Sequence, residues 1–159
     1  MTDKELMKVC EEEEKEIRFK EFSSKTALTI GMALIDEADK RNNKICIDIA
    51  ISGRRLFHYS SDGNAMSNDI MIERKKKTAM HTGHSSLWAH YMLKDCGMNI
   101  KEKWALDPSE YAQVGGAFPI RLVNCPTAIG TITCSGFNHE QDHSIIIDVC
   151  RKLMSEEAV

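Results

Sequence analysis

The sequence lacks paired cysteines, a long apolar run and an apolar N-terminal segment. Its six cysteines are scattered, and no two of them form a C-x-x-C pair, which argues against a structural zinc site or a thioredoxin-like redox motif. No apolar run approaches the roughly 18 residues that are needed to span a bilayer. The opening stretch MTDKELMKVCEEEE is acidic and lacks the apolar core of a signal peptide. These absences predict a cytoplasmic protein with reduced thiols.

An excess of positive charge is also missing. The net charge is −3 over 159 residues, so no general attraction to nucleic acid or to an anionic membrane is expected. The hydrophobic fraction of 42% and the charged fraction of 28% are typical of a globular protein. A chain of this length predicts one domain over 1–159, with an N-terminal helical segment at 1–21 and a core at 22–153.

The apolar pattern predicts two helices followed by a change of period. Helical spacing favours helices over 1–19 and 24–40, and the second ends at the sequence RNN. Isoleucines at every second position of KICIDIAISG then predict a strand with one apolar face. The Ser52-Gly53 turn and the segment RRLFHYS complete a hairpin.

The second half repeats this alternation of helices and a hairpin. Asn68 is the expected N-cap of a helix over DIMIERKKKTAMH, and a shorter helix ends at Gly97. After an irregular stretch, FPIRLV and AIGTITCSG flank the turn NCPT, and a last helix follows from about 139 to 155. Hairpins with helices gathered against them predict an α+β domain with an antiparallel sheet.

The string HEQDH, residues 139 to 143, matches the H-E-x-x-H pattern of zinc proteases. In those enzymes the histidines lie in mid-helix and a third ligand follows, whereas Asn138 predicts that HEQDH forms the first turn here. We therefore predict that the chain is not a zinc protease. His139 and His143 could still bind a metal or an anion, or the acidic residues could simply complement the helix dipole. The sequence leaves both interpretations open.

Two further segments contain residue types that are common in ligand-binding sites. IERKKKTAMHTGHSS concentrates Arg74, Lys75, Lys76 and Lys77 near two histidines, and on a helix Arg74 and Lys77 share a face with His81. YAQVGGAFPI places two glycines before a strand, which permits either a positive φ or a close approach of the backbone to a ligand. A solvated charged surface and a bend at a sheet edge explain the same segments without any ligand.

Together these segments resemble one protein family. The blocks NDIMIERKKKTAMHTGHSS, YAQVGGAFPI and AIGTITCSGFNHEQDHSIII, in this order and spacing, are similar to the GlcG/HbpS-like family, also called the heme-degrading domain. The similarity runs from about residue 22 to 153 and is greatest for a cytoplasmic branch of that family. One departure is Met71, which stands where that branch tends to have a tryptophan before I-x-R-K.

The resemblance implies a profilin-like fold, a central antiparallel sheet flanked by helices, and assembly into a homo-oligomer. It also implies small-ligand binding, with heme as the named candidate and heme degradation as an associated activity. The ligand-facing positions that it implies are Arg74, Lys75, His81, Ser85, Ser86, Gly115, Gly116, Phe118, Pro119, Ser135, Gly136, Asp142 and His143.

The residue types present meet the requirements of heme. Heme needs an axial ligand, cations for its propionates and apolar walls, and His81 or His84 could supply the iron ligand. The expected functions are therefore a heme-binding or heme-degrading protein, a cofactor-free oligomeric scaffold or adaptor that binds other proteins, and a metal-dependent enzyme that uses His139 and His143. The predicted partners are a second copy of the chain and a small molecule, with no nucleic acid and no membrane.

Overall fold

An antiparallel sheet of four strands lies at the centre of the chain. The computed structural model describes all residues from 1 to 159. Its strands are β1 (Cys46–Ile51), β2 (Arg54–Ser60), β3 (Ala117–Leu122) and β4 (Cys125–Ser135). Its helices are α1 (Asp3–Glu16), α2 (Ser24–Lys40), α3 (Met66–Thr82), α4 (Ser86–Cys96), α5 (Ile100–Trp104) and α6 (His139–Ser155). The strand order is β2-β1-β4-β3, and every neighbouring pair is antiparallel.

The two faces of β1 have different environments because successive side chains point to opposite sides of a strand. Ile47 and Ile49 belong to the main hydrophobic core, into which α2 and α6 also place their apolar residues. Cys46 and Asp48 point to the other face, on the side of α3. The sheet thus separates an apolar layer from a layer in which polar groups are buried.

The α+β prediction with helices flanking a central antiparallel sheet is confirmed. Helices α2 and α6 have the predicted bounds, and Asn138 accepts a hydrogen bond from the Gln141 amide as the N-cap of α6. The first hairpin also forms, with Ser52 and Gly53 at φ values of +49° and +79°. Such positive values suit the twist of a two-residue hairpin turn.

Several local predictions were wrong. The first helix ends at Glu16 rather than residue 19, because Phe19 instead forms a bridge with Leu122 beside strand β3. Helix α3 begins at Met66, and its N-cap is Ala65 without a side-chain hydrogen bond, so Asn68 does not cap it. The short helix α5 was not predicted at all. The turn of the second hairpin lies at residues 123 and 124, so that only Asn124 of the predicted NCPT belongs to it.

Helix α1 packs on α4 through carboxylates as well as apolar side chains. Glu14 is 5% exposed and accepts from the Ser85 amide at 2.7 Å, and Glu11 accepts from Trp88 Nε1 at 3.0 Å. Cys10 joins Trp88 in a small separate apolar cluster between these helices. No helix in the structure combines the length and the apolar character that crossing a membrane requires.

Candidate functional site

Lys75 and Asp142 form a buried ion pair where α3, β4 and α6 meet. Lys75 Nζ lies 2.8 Å from Asp142 Oδ2 and donates to the Cys134 carbonyl oxygen at 3.0 Å. Lys75 is 1% exposed and Asp142 is 2% exposed. Burial raises the pKa of Asp142, and the Lys75 ammonium opposes that rise. Asp142 Oδ1 also accepts from the Phe137 amide at 2.8 Å, so this carboxylate fixes the turn between β4 and α6.

Two of the predicted glycines allow backbone segments to pack closely at this junction. Gly116 has a φ of +129°, and a Cβ there would lie 2.5 Å from the Cys134 carbonyl oxygen and 2.7 Å from Lys75 Nζ. Gly136 has a φ of +143°, and a Cβ there would lie 2.5 Å from the Lys44 carbonyl oxygen. Only glycine combines that φ with so little space. Both glycines therefore have a packing role within the single chain.

The predicted positions Lys75, Gly116 and Ser135 lie together, as a shared site requires. Ser135 is 5% exposed, and its hydroxyl lies 3.4 Å from Asn68 Oδ1. Little space is left beside Gly116, because Lys75 Nζ and the Cys134 carbonyl oxygen would lie within 2.7 Å of an added Cβ. In the single chain this group forms a closed polar junction between α3 and the sheet.

Other predicted positions connect strand β3 to the helices. Ser86 Oγ accepts from the Ala117 amide at 3.0 Å, and the Gly115 amide donates to His139 Nδ1 at 3.0 Å. Phe118 is fully buried in the main core, and Pro119 beside it is buried as well. These contacts hold the start of β3 against α4 and α6.

The two histidines of HEQDH make contacts with different elements. His143 Nε2 lies 2.6 Å from Glu13 Oε2 of α1, while His143 Nδ1 is buried without a hydrogen-bond partner. His139 is in contact with the Gly115 amide, and its ring centroid lies 4.6 Å from that of His90. Burial lowers the pKa of His139, and the nearby His90 adds to this effect. HEQDH itself forms the first turn of α6, as predicted.

The outward-facing residues Arg74, Lys77 and His81 form what we call the outer face of α3. The His81 ring is exposed, and its centroid lies 6.1 Å from that of Trp104 and 6.2 Å from that of Tyr111. Lys77 Nζ lies 5.9 Å above the Tyr111 ring. The ring nitrogens of His81 have no hydrogen-bond partner within the chain. This surface therefore combines a free imidazole, two aromatic rings and two cations.

Arg74 is only partly engaged by the protein. One of its terminal nitrogens donates to the Pro108 carbonyl oxygen at 2.7 Å and the other lies 3.6 Å from Met71 Sδ. Its Nε is buried and has no hydrogen-bond partner. Met71 thus contacts the guanidinium directly at the position where the family branch tends to carry tryptophan.

His84 and Ser85 are engaged by helix α1 instead. His84 Nδ1 lies 2.8 Å from Glu14 Oε2, and its ring stacks on Trp88 with centroids 3.9 Å apart. Ser85 Oγ accepts from the Trp88 amide as the N-cap of α4. Of the two predicted axial-ligand histidines, His84 therefore has one ring nitrogen paired with Glu14, whereas neither ring nitrogen of His81 has a partner.

Two surface cavities lie away from most of the predicted positions. A groove of about 830 Å³ lies between residues 18–26 and the C-terminal residues after α6. A cavity of about 320 Å³ lies between α1 and α6, and of the predicted positions only His143 lines it, together with Cys10 and Tyr91. Neither cavity could be predicted from the sequence, because both depend on how distant segments of the chain pack.

The sequence also missed the aromatic residues beside His81. Trp104 ends α5, which Asn99 caps by accepting from the Glu102 amide at 2.9 Å. An Asn followed three residues later by Glu is a typical helix start. That signal could have predicted α5 and with it an aromatic side chain next to α3.

The fold and the site define an α+β domain in which a basic helix covers one face of a four-stranded antiparallel sheet. The model of the HbpS-like family, described as haem degrading protein HbpS-like, matches residues 22–150. The chain belongs to this family. Helix α1 precedes the matched region.

Relatives and solved structures agree with this assignment. A UPF0303 protein of Edwardsiella ictaluri is 32% identical over 97% of this chain and 98% of its own length. A UPF0303 protein of Schizosaccharomyces pombe is 32% identical over 90% of this chain and 80% of its own length.

The crystal structure of Ybr137w protein has a TM-score of 0.89 and 29% identity, covering 96% of this chain and 90% of that one. The crystal structure of a PduOC:heme complex has a TM-score of 0.67 at 14% identity, covering 79% and 89% of the two chains. At that identity the likeness concerns the fold alone.

Proposed function

We propose that this protein is a homo-oligomeric, cytoplasmic small-ligand-binding protein whose ligand is heme, bound at the outer face of α3. The observation that carries the proposal is the exposed His81 imidazole between Trp104 and Tyr111, with no partner in the chain. Histidine is a common axial ligand of heme iron, and aromatic side chains provide apolar contact area for a porphyrin.

The cations of the same face suit the heme propionates. Arg74 and Lys77 precede His81 by seven and four residues, so all three lie on one side of the helix over about 10 Å. Arg74 Nη1 has only a weak acceptor, Met71 Sδ at 3.6 Å, and so retains hydrogen-bonding capacity. Arginine pairs with carboxylates through charge-assisted hydrogen bonds, which are stronger than neutral ones.

The family supports heme over other anionic ligands. The matching family model carries the words haem degrading protein, and one solved structure of this fold is a heme complex. The buried positions around Lys75, Gly116 and Asp142 have a different role in the proposal. They fix α3 against the sheet and so orient the outer face that contacts the ligand.

Titration of hemin into the apo-protein tests the proposal. We expect the Soret band of hemin to shift and to saturate at a defined stoichiometry, because a specific site binds a fixed number of heme molecules per chain. His81→Ala should weaken binding at least tenfold and change the Soret position, since it removes the iron ligand. Arg74→Gln and Lys77→Gln should weaken binding without changing the Soret position.

The matched control is His84→Asn, which alters the neighbouring histidine while keeping a side-chain donor for Glu14. It should leave hemin affinity within about twofold, because His84 contacts α1 and α4 and is not part of the outer face of α3. Non-saturable hemin uptake, or equal affinity in the wild type and His81→Ala, would rule out this site and favour the scaffold function. Loss of the Soret band under a reductant and oxygen would add heme degradation to binding.

The oligomer is part of the same proposal. Met66 and Ile70, one turn apart at the start of α3, are 76% and 52% exposed. Adjacent large apolar side chains at such exposure are typical of protein interfaces. Light scattering of the purified protein should give a mass that is a multiple of 18.0 kDa, and Met66→Glu/Ile70→Glu should lower it. A monomeric wild type would contradict the oligomer without affecting the hemin result.

A further inference from the structure

Three potential metal ligands meet on the polar face of the sheet, away from the outer face of α3. Cys46 of β1, His58 of β2 and Asp69 of α3 each present one ligand atom, and these atoms all lie within 4.8 Å of one another. Cys46 is fully buried, whereas the side chains of His58 and Asp69 are 31% and 41% exposed. The cluster therefore has a buried thiol at its base and access from solvent.

The strand register and the position of α3 bring these three side chains to the same face of the sheet. Cys46 alternates with the isoleucines of β1 and so points away from the apolar core. His58 is directly opposite Asp48 in the β1–β2 ladder and points to the same face. Asp69 lies in the first turn of α3, which passes over that face. No short sequence motif connects the three, because they come from separate elements.

The distances suit a tetrahedral cation. Cys46 Sγ lies 3.4 Å from Asp69 Oδ1, and His58 Nε2 lies 3.1 Å from the same oxygen. Ligand atoms bound to zinc at about 2.0 to 2.3 Å are roughly 3.3 to 3.7 Å apart in a tetrahedron. Small side-chain rotations would therefore place all three atoms around one ion, with a fourth position open to water.

Asp48 provides the support that metal-binding histidines need. His58 Nδ1 lies 3.5 Å from Asp48 Oδ2, so a buried carboxylate lies beside the second ring nitrogen while Nε2 faces the cluster. Asp48 is fully buried and is held by Arg55 Nε at 2.6 Å and by Lys76 Nζ at 2.9 Å. Such a carboxylate fixes the histidine tautomer and orientation at metal sites.

We propose that Cys46, His58 and Asp69 bind one divalent cation of the zinc class. Cysteine and histidine select zinc over magnesium and calcium, and one thiolate with one carboxylate neutralises its two charges. On binding, the S–H bond of Cys46 is replaced by a sulfur–metal bond with release of one proton to solvent.

The other cluster of this kind is less well suited. Cys10, Glu13 and His143 also lie within 4.8 Å of one another. There the second ring nitrogen of the histidine is buried without any acceptor, so no carboxylate or carbonyl orients it. Cys10 therefore serves as the matched control for Cys46.

The test is a titration of the chelator-treated, full-length protein with Co²⁺, followed by displacement with Zn²⁺. We expect one equivalent of Co²⁺, a thiolate-to-cobalt charge-transfer band, release of one proton and loss of the band when Zn²⁺ is added. Cys46→Ser should abolish the band. His58→Gln and Asp69→Asn should weaken Co²⁺ binding by more than about 10- to 100-fold, the loss that is typical when a residue that only orients a metal ligand is changed.

The controls separate this site from the others. Cys10→Ser and His81→Ala should both retain the full band, and circular dichroism establishes that each variant is folded. His58 is partly exposed, so His58→Gln still tests the proposal if Cys46→Ser fails to fold. Absence of a thiolate band in the wild type, its persistence in folded His58→Gln and Cys46→Ser, or its loss in Cys10→Ser would overturn the proposal.

Discussion

The inner and outer faces of α3 each have a lysine paired with a carboxylate, but one pair is buried and the other is exposed. Lys75 points inward, is 1% exposed and pairs with Asp142, whereas Lys77 is exposed and lies 3.6 Å from the exposed Glu110. Lys76, between them, reaches the buried Asp48. Consecutive cations on a helix point about 100° apart. The lysines of one basic run therefore have different environments, and each environment depends on the part of the protein that faces that side of the helix.

The largest difference between the two faces should appear in stability. Lys75→Met should lower the free energy of unfolding by about 3–5 kcal/mol, because it leaves the Asp142 carboxylate buried without its partner. Urea denaturation measures this change.

The double variant Lys75→Met/Asp142→Leu sharpens the comparison. It should recover only part of the loss, because an apolar pair removes the unpaired buried charge but leaves the Phe137 amide without its acceptor. A loss below about 1 kcal/mol in Lys75→Met would mean that the pair is not structurally important.

Gly116→Ala should have the next largest effect. The new Cβ would collide with the Cys134 carbonyl oxygen and Lys75 Nζ at a φ of +129°, which should cost about 2–3 kcal/mol. Gly97→Ala is the control, because Gly97 also has a positive φ of +65° but no atom within 4 Å of the added Cβ. It should cost only about 1 kcal/mol. Equal midpoints of the two variants in thermal unfolding would contradict the close approach.

A pH effect should distinguish the buried junction from the outer face. Burial and His90 lower the pKa of His139, so the unfolded chain takes up a proton more readily than the folded one. The stability from neutral His139 is full above about pH 6.5 and is lost as the pH falls through the lowered folded value. His139→Gln should therefore show a shallower loss of unfolding free energy than the wild type on acidification. Parallel curves would contradict this assignment.

The smallest effect on stability is expected at the outer face. Lys77→Ala should change the free energy of unfolding by less than about 0.5 kcal/mol, because its partner Glu110 is exposed and surface ion pairs contribute little. The same variant should weaken hemin binding in the titration described above. A stability loss comparable to that of Lys75→Met would remove the distinction between the two faces.

Much of the fold could be predicted from local signals. Helices α2 and α6 were predicted with their observed bounds because caps and apolar periodicity agree there. The start of α3 was wrong because a typical cap residue, Asn68, lies inside the helix while Ala65 occupies the cap position. Phe19 left the predicted first helix because it pairs with Leu122, a contact that is more than 100 residues away in the sequence.

The candidate site was less accessible to sequence reasoning. Helical spacing correctly placed Arg74, Lys77 and His81 on one side of α3. It could not distinguish His81 from His84, because the partner of His84 is Glu14 on a helix outside the matched family region. Nor could it join Cys46 to His58 and Asp69, since the strand register and the position of α3 bring them together.

The burial of Lys75 also makes its amine a reporter of opening events. An amine must be both exposed and deprotonated to react with an acylating reagent, and in the folded chain Lys75 Nζ is held between Asp142 and the Cys134 carbonyl. Labelling of Lys75 therefore requires α3 to separate from the sheet, while Lys77 reacts from the native state. The ratio of acylation rates at the two lysines, read by peptide mass spectrometry, measures how often this helix detaches.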